Sequence, residues 1–265
     1  MSWYNRGLDE LDKEDSKQED RFGPGRFWIP GGTSKDLVYV DDEPLCIHEH
    51  NPKINGNYRN WLTCLNGVYD EVVCCTTLGV DSRYYVGYLT TVDCSKWVDG
   101  RGNTHQYELR LFPLKMKGLK KFRRKKEDRG GLVNTYWTHT REDSKSPTIG
   151  DDWEFRRDVE MAKLFPHVCY RGQKLIDMWA EAEATPEKMA RLLKVFQIKP
   201  DKDGKLPQVV PAFNYFEILQ PKQPKDLRIQ LGGVQEDEDD SGSSYNKGGS
   251  SSGNSSALNE DDVPF

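Results

Sequence analysis

The sequence predicts a mainly β protein with added helices and a disordered acidic tail. β-branched and aromatic residues cluster in short segments between residues 26 and 114, and turn-forming Gly, Asn and Pro residues separate these segments. Helical patterns are concentrated after residue 114. Residues 235–265 are rich in Gly, Ser and acids, and a segment of that composition buries too little apolar surface to fold.

The overall composition excludes membrane-spanning proteins. Of 265 residues, 35% are hydrophobic and 31% are charged, and the mean hydropathy is -0.81. No run approaches the ~18 apolar residues of a membrane span. The acidic N-terminus lacks the apolar stretch of a signal peptide, and six cysteines are too few for a disulfide scaffold. We therefore expect a cytoplasmic protein that does not contact a membrane.

The predicted organisation begins with an acidic N-terminal arm over residues 1–20. Seven acids and three bases lie there, and Trp3, Leu8 and Leu11 follow a roughly helical spacing. This spacing indicates a short, weakly amphipathic helix or arm.

Residues 21–160 form the predicted core. Strand-like segments cover 26–29, 36–40, 45–50, 58–64, 71–77, 83–98, 104–114, 132–140 and 152–159. The turn at Asp99–Asn103 is a strong hairpin signal, and a basic helix over Lys115–Arg129 ends at Gly130 and Gly131. Five or six curved strands with a helix inserted late fit an OB-fold-type β-barrel. A sandwich of short strands fits almost as well.

Residues 161–234 are predicted as a helical and extended C-terminal addition. The helical part covers 171–197, where Thr185 is the expected N-cap and Pro186 begins the first turn of a helix. The Pro- and Lys-rich remainder is expected to lie extended on the surface. The disordered linker and acidic tip over 235–265 complete the chain.

The formal net charge of -5 conceals a basic body between two acidic ends. The segment 235–265 carries eight acids and a single base, whereas Lys115–Arg129 carries nine bases and two acids. Nine neighbouring bases repel one another unless an anion lies nearby, so this helix is a candidate phosphate-binding surface. A merely solvated helix face is the alternative.

Aromatic residues interleaved with bases are the second sign of nucleic-acid binding. A single-strand binder needs cations for phosphates and aromatic faces for unpaired bases. The candidate binding residues are Trp28, Arg59, Trp61, Arg83, Tyr85, Trp97, Tyr107, Arg110, Lys115, Lys117, Lys120, Lys121, Arg123 and Arg124. In the strand Tyr84–Thr91 we expect the face with Tyr85, Gly87 and Leu89 to be open, because a glycine beside an exposed aromatic lets a base approach. For each aromatic residue, packing in the core is the alternative.

The end of the chain is a candidate docking peptide. A flexible Gly/Ser linker keeps it mobile. Its residues are Asp261, Asp262, Val263, Pro264 and Phe265. The Phe265 ring could fill an apolar pocket while the carboxylates meet Arg or Lys around it. A solubilising acidic tail is the alternative.

The tip resembles the acidic tip of bacterial single-stranded DNA-binding proteins, and the body resembles bacteriophage single-stranded DNA-binding proteins with an OB-fold core. The matching segments are Arg26–Trp28, His48–Asn51, Tyr85–Gly87, Thr91–Asp93, Leu111–Pro113, Arg129–Leu132, Lys145–Pro147 and Gly150–Asp152. The resemblance implies a phage protein in the host cytoplasm. It also implies that the tip docks replication and repair partners and competes with DNA for the basic groove.

A metal site has weaker support. His50, Cys64 and Cys74 follow an order similar to that of zinc-containing phage helix-destabilising proteins, but Thr77 stands at the fourth position and is a poor zinc ligand. Buried cysteines on strands are commonly small hydrophobic residues. We therefore expect no cofactor, and zinc remains the alternative.

Together these features predict a binding protein rather than an enzyme. The sequence has no phosphate-cradling glycine loop, no nucleophile elbow and no convincing carboxylate constellation. The expected activity is non-specific coating of single-stranded DNA in replication, recombination or repair, with partners recruited through the tip and self-association left open. A single-stranded RNA-binding OB protein and a metal-dependent nuclease are the alternatives.

Overall fold

A computed structural model of the chain describes residues 24–52, 61–64, 83–98 and 102–221. Several predictions lie outside these residues: the N-terminal arm, the strand over 71–77, the disordered tail with its tip, Arg59 and Cys74. The described residues fall into two compact units. The first contains residues 24–46 and 86–220, and the second contains the described residues between 47 and 85 together with residue 221.

The fold is a mixed sheet with added helices. The strands are β1 Thr33–Tyr39, β2 Leu45–His50, β3 Leu62–Thr63, β4 Tyr84–Asp93, β5 Trp97–Val98, β6 Thr104–His105, β7 Glu108–Lys115, β8 Thr135–Arg141, β9 Asp152–Asp158, β10 Cys169–Tyr170 and β11 Gln173–Lys174. The helices are α1 Met116–Arg129, α2 Met161–Leu164, a 3-10 turn Phe165–His167, α3 Leu175–Ala184, α4 Pro186–Val195 and α5 Tyr215–Ile218. Most of the expected strands are therefore present, and the basic helix begins one residue after its predicted start.

The main sheet has the strand order β11-β10-β7-β4-β1-β8-β9. Its neighbouring strands are antiparallel except β10 and β7, which are parallel. The predicted hairpin is confirmed, since Trp97 pairs with His105 and Val98 with Thr104.

The closed OB-fold barrel is not observed, because within the described residues no ladder joins β7 to β9. Part of the second edge of β7 is instead occupied by the segment 25–27. There the Phe27 amide donates to the Leu111 carbonyl at 2.7 Å, and the Leu111 amide donates to the Gly25 carbonyl at 3.0 Å. Two residues further on, the Ile29 amide donates to the Thr148 carbonyl at 2.7 Å. The segment preceding β1 therefore contacts both β7 and the β8–β9 connection.

One face of this sheet forms the main core. The buried residues are Phe27, Ile29, Leu37, Tyr39, Leu89, Phe112, Leu114, Phe122, Leu132, Trp137, Ile149 and Trp153. Alternation along β8 buries Thr135, Trp137 and His139 while their neighbours stay half-exposed, as expected for a strand with one covered face. Helix α1 covers the core with Phe122 and Leu119. Each large side chain buried there contributes roughly 1.5–3 kcal/mol of hydrophobic stabilisation.

The expectation that Gly87 and Leu89 lie on an open face is wrong. Leu89 is fully buried, and a Cβ on Gly87 would lie 2.7 Å from the Leu119 side chain. Gly87 therefore lies where α1 packs closely against β4, rather than where a base could approach. Of the expected open face only Tyr85, which is 37% exposed, reaches the surface.

The opposite face of β4 and β7 is covered by the C-terminal addition. Tyr88, Thr90 and Val92 are fully buried there. The Tyr215 hydroxyl lies 2.6 Å from the Thr90 hydroxyl, and the Phe213 amide donates to the same Thr90 oxygen at 2.9 Å. This addition has its own aromatic cluster of Tyr170, Trp179, Phe196 and Phe213.

The predicted helix boundary within this addition is confirmed: Thr185 is the N-cap of α4, and Pro186 is its first residue. Among the described helices, none has the length and apolar character needed to cross a membrane.

Candidate nucleic-acid interface

The structure separates the candidate binding residues into groups. Trp97, Tyr107 and Arg110 lie near the Glu108 end of β7, whereas the bases of α1 follow the Lys115 end. A strand rises about 3.4 Å per residue, so these two groups are separated by roughly 20 Å along β7. The strand β7 therefore connects an aromatic group at one end with a cationic helix at the other.

Two cavities adjoin the first group. The large cavity has a volume of about 480 Å³, and the small cavity has a volume of about 230 Å³. The same two chain segments supply residues to both, since 94–96 and 106–107 line the large cavity while Trp97, His105 and Glu108–Arg110 line the small one. The two cavities thus lie beside consecutive residues of the same two segments, and they are together called the cavity surface below.

The large cavity opens on the outer face of the sheet beside β1 and β8. The register pairs Val38 with Tyr136 and Asp36 with Thr138, so alternate residues of both strands turn away from the main core. The lining residues are Ser34, Asp36, Val38, Cys94, Ser95, Lys96, Gln106, Tyr107, Tyr136, Arg157, Val159 and Leu164. A volume of this size lies within the range of ~300–1,000 Å³ typical of small-ligand sites.

Asp36 is the acidic group of the large cavity, and several hydrogen bonds fix its position. Its amide donates to the Ser95 hydroxyl at 2.8 Å, and its Oδ1 accepts from the Thr138 hydroxyl at 2.7 Å. Burial raises the pKa of the Tyr136 phenol above its ordinary value, and the hydrogen bond that this phenol donates to Asp36 adds to the shift. The Arg157 guanidinium lies over the Tyr136 ring, 5.3 Å from the ring centroid.

The cations of the large cavity remain accessible to solvent. The side chains of Lys96 and Arg157 are both exposed. Tyr107, which is half-buried, has a φ of 57° and a ring centroid 5.9 Å from that of His167. A left-handed conformation in a residue other than glycine costs of order 1–3 kcal/mol and is concentrated at binding sites. The large cavity therefore combines exposed positive charge with an aromatic side chain held by a strained turn.

Trp97 and Arg110 meet in the small cavity. The Arg110 guanidinium carbon lies 5.3 Å from the centroid of the Trp97 ring. His105 stacks against Trp97 at a centroid separation of 4.2 Å and an interplanar angle of 13°. One face of the Trp97 ring is thus already covered by His105. A base stacking on the other face would meet the Arg110 guanidinium there.

The remaining groups of the small cavity are mainly polar. Arg171 is exposed at its edge, and Glu108 is almost fully buried. Glu108 accepts a hydrogen bond from the Gly172 amide at 2.9 Å and lies 3.2 Å from the His105 ring. Because its carboxylate is engaged with these groups, the accessible charge of the small cavity is positive.

Four bases of α1 are engaged within the chain. Lys121 donates to the Asp151 carbonyl and lies over Trp153, and Lys125 lies over Trp137. Lys126 pairs with Asp42 and Glu43, and Arg129 pairs with Asp158. Burial lowers the pKa of Lys121 below its ordinary value. These four cations therefore contact other groups of the chain, and a charge count along the sequence overstates what α1 offers to a ligand.

The remaining candidate bases of α1 point outward. Lys117, Lys120, Arg123 and Arg124 are exposed, and Lys115 is half-buried at the N-cap. Within the part of the chain that the structure describes, Lys120, Arg123 and Arg124 form no ion pair. An exposed cationic stripe thus covers the first two turns of the helix.

Trp28 lies on the segment that precedes β1, and it lines neither cavity. It is 47% exposed between the buried Phe27 and Ile29, and the Lys35 ammonium lies 5.9 Å from its ring centroid. An exposed indole beside a cation is an ordinary base-stacking element.

The second unit contains Trp61, Arg83 and Tyr85. Arg83 is exposed, Trp61 is half-buried, and the Tyr85 ring meets the His48 ring edge-on at a centroid separation of 5.2 Å. This unit also contains His50 and Cys64, both buried on or beside the paired strands β2 and β3. Across the described ranges, no group of three His, Cys, Asp or Glu side chains is arranged to hold a metal ion.

Sequence reasoning missed Asp36, Tyr136, Arg157 and Arg171. Asp36 precedes the apolar residues of β1, and Arg157 follows a bulge in β9, so their common face could not be read from either segment alone. The alternation of polar residues in β8 was the available signal, because it marks one face of that strand as uncovered.

No protein-family description matches the chain, and no curated protein matches it.

Proposed function

We propose that this protein binds single-stranded DNA without strict sequence specificity and has no catalytic activity. The cavity surface is the observation that carries the proposal. It combines the half-buried rings of Trp97 and Tyr107 with four cationic side chains. These are Lys96, Arg110, Arg157 and Arg171. Aromatic faces and cations in this combination are what an unpaired strand requires.

The strand connections support an OB-type core for this function. The strands β1, β4 and β7 pair consecutively, α1 follows β7, and β8 returns to pair with β1 before the β8–β9 hairpin. An OB fold is a partly open five-stranded Greek-key barrel, and its second and third strands usually bind the oligonucleotide. The outer face of the corresponding strands, β4 and β7, is covered here by Phe213 and Tyr215. We therefore place the nucleic acid on the cavity surface, at the Glu108 end of β7.

In this proposal phosphates contact the exposed cations and bases stack on the aromatic rings. Stacking tolerates any base because every base has a π-face. The outward stripe of α1, with Lys120 and Arg124, extends the positive surface beyond the cavities. Each phosphate neutralised should steepen the salt dependence of log K by about 0.7 for a single strand.

The proposed cellular role rests on the resemblance of the body and the tip to single-stranded DNA-binding proteins. We propose that the protein coats single strands during phage replication, recombination or repair in the host cytoplasm. The tip Asp261–Phe265 would recruit replication proteins. Zinc forms no part of this proposal.

The direct test is Trp fluorescence during titration with unlabelled oligonucleotides at several salt concentrations. We expect single-stranded DNA to quench the fluorescence, duplex to have little effect, and the affinity to fall as salt rises. The variant Arg157→Ala should bind roughly three- to ten-fold more weakly and lower the salt slope by about 0.7.

The matched control is Lys194→Ala, which removes one exposed charge from α4 at a residue that lines neither cavity. It should leave both affinity and slope unchanged. No binding to single strands, or equal binding to duplex, would overturn the proposal. Tighter binding of RNA in a competition experiment would assign the surface to RNA instead.

A further inference from the structure

We propose that the large cavity receives one base of the bound strand, and that Asp36 favours bases that carry an exocyclic amino group. The inference rests on the proposed function and deepens it, because it assigns a base preference to one part of the cavity surface. Cytosine, adenine and guanine would be accepted there more readily than thymine or uracil.

The charge distribution of the cavity favours a base over a phosphate. The Asp36 carboxylate belongs to the lining, and it accepts a hydrogen bond from the Thr138 hydroxyl. A phosphate next to this carboxylate would meet a like charge in a partly desolvated site. The exposed cations Lys96 and Arg157 are better placed for the phosphates on either side of an inserted base.

The lining also supplies aromatic surface, polar groups and enough volume for a base. The half-buried rings of Tyr107 and Tyr136 supply aromatic surface, and Ser34, Ser95 and Gln106 supply polar groups. About 480 Å³ of space is available. These features fit a planar, polar-edged ligand such as a nucleobase.

The hydrogen-bonding capacity of Asp36 determines the preference. A carboxylate only accepts hydrogen bonds and has roughly four lone-pair positions, of which Thr138 uses one. An amino group on the base edge could donate to a remaining position, as cytosine N4 does to acidic side chains. Thymine and uracil carry no amino group, and their N3–H lies between two carbonyls that would face the same carboxylate. Leaving such polar groups unmatched in a part-buried site disfavours those bases.

Homopolymers of deoxycytidine and deoxyuridine test this preference, because the two bases have rings of the same size and neither carries a methyl group. Affinities are measured by Trp fluorescence at equal length, salt and pH. We expect the wild-type protein to bind the deoxycytidine oligomer about ten-fold more tightly. The variant Asp36→Asn retains an acceptor for Thr138 and adds a donor, so the difference should fall to two-fold or less.

The matched control is Asp152→Asn, which removes the same charge from an exposed residue of β9 outside the cavity lining. It should retain the wild-type preference. The comparison of two oligomers on the wild-type protein does not depend on any variant folding.

Three outcomes would overturn this inference alone. The wild-type protein could bind the two oligomers equally, or bind the deoxyuridine oligomer more tightly. The preference could also persist in Asp36→Asn. Failure of every oligonucleotide to bind would overturn the proposed function together with it. The two failures are therefore distinguishable in the same experiment.

Discussion

At the scale of single residues, a polar side chain is tolerated in the core because its hydrogen-bonding atoms have partners there. His139 is fully buried, stacks on Trp153 at a centroid separation of 4.5 Å, and lies 2.9 Å from the Ile149 carbonyl through Nδ1. Its Nε2 lies 3.3 Å from the Tyr39 hydroxyl. Both ring nitrogens thus have partners, which is why an imidazole is tolerated among aromatic side chains.

The contribution of His139 to the stability of the fold should decrease in mild acid. Burial lowers the pKa of His139 to about 3, the hydrogen bond to Ile149 opposes this shift, and the charge of Lys121 adds to it. The unfolded chain therefore binds a proton near pH 6.5, whereas the folded chain stays neutral down to about pH 3. The stability that neutral His139 contributes above pH 6.5 is lost as the pH falls, by about 2 kcal/mol at pH 5.

Urea unfolding at pH 7 and pH 5 measures this loss. The variant His139→Gln should be less stable at pH 7 because it disturbs the packing, yet its loss between the two pH values should be smaller by about 2 kcal/mol. The variant His167→Gln changes an exposed histidine and should keep the wild-type loss. An unchanged pH dependence in His139→Gln would show that another group is responsible.

At the scale of secondary-structure elements, α1 has two different sets of bases. Lys125, Lys126 and Arg129 contact the protein itself, whereas Lys120 and Arg124 lie one turn apart on the outward face. The sequence predicts the helix and its charge. The division into inward and outward bases depends on which face of the helix packs against the core, and that face is the one that carries the buried Phe122. A linear count of bases cannot supply that information.

Reversing the outward charges should weaken binding without unfolding the helix. The double variant Lys120→Glu with Arg124→Glu should bind single-stranded DNA roughly ten-fold more weakly and lower the salt slope by about 1.4. Its thermal midpoint should stay close to that of the wild-type protein, because these side chains are exposed.

The inward variant Lys126→Glu is the matched control on the same helix. It places a negative charge beside Asp42 and Glu43, so it should lower the thermal midpoint. Wild-type affinity in the outward double variant would remove α1 from the proposed binding surface.

At the scale of the whole molecule, the acidic tail and the basic surface of the same chain carry opposite charges. The tail over 235–265 carries eight acids and one base, and the cavity surface and α1 present exposed cations. Opposite charges on one chain attract at low ionic strength. We therefore expect the tail to compete with DNA for the basic surface when no strand is bound.

Deleting residues 235–265 should raise the affinity for single-stranded DNA several-fold at low salt, with the difference disappearing at high salt. Titrations of the full chain and the shortened chain at matched salt measure this effect. A tail in which Asn or Gln replaces the acids controls for the loss of chain length and should behave like the deletion. Unchanged affinity on deletion would show that the tail does not contact the basic surface.

The amino-acid sequence by itself determined most of the elements. The strands β1, β2, β4, β7, β8 and β9, the hairpin before His105, the basic helix and the N-cap at Thr185 were all predicted. Each depends on residues near one another in sequence, through side-chain shape, alternation, capping or turn formation.

Only the tertiary structure decided which surfaces remain available. The segment 25–27 occupies part of the edge of β7, and Tyr215 covers the β4 face from a position 125 residues further along the chain. Leu119 fills the space beside Gly87, where the sequence had predicted an open face. Asp36 and Arg157 meet in one cavity because β8 pairs with both β1 and β9. Long-range packing, which local patterns do not encode, therefore determined the candidate site.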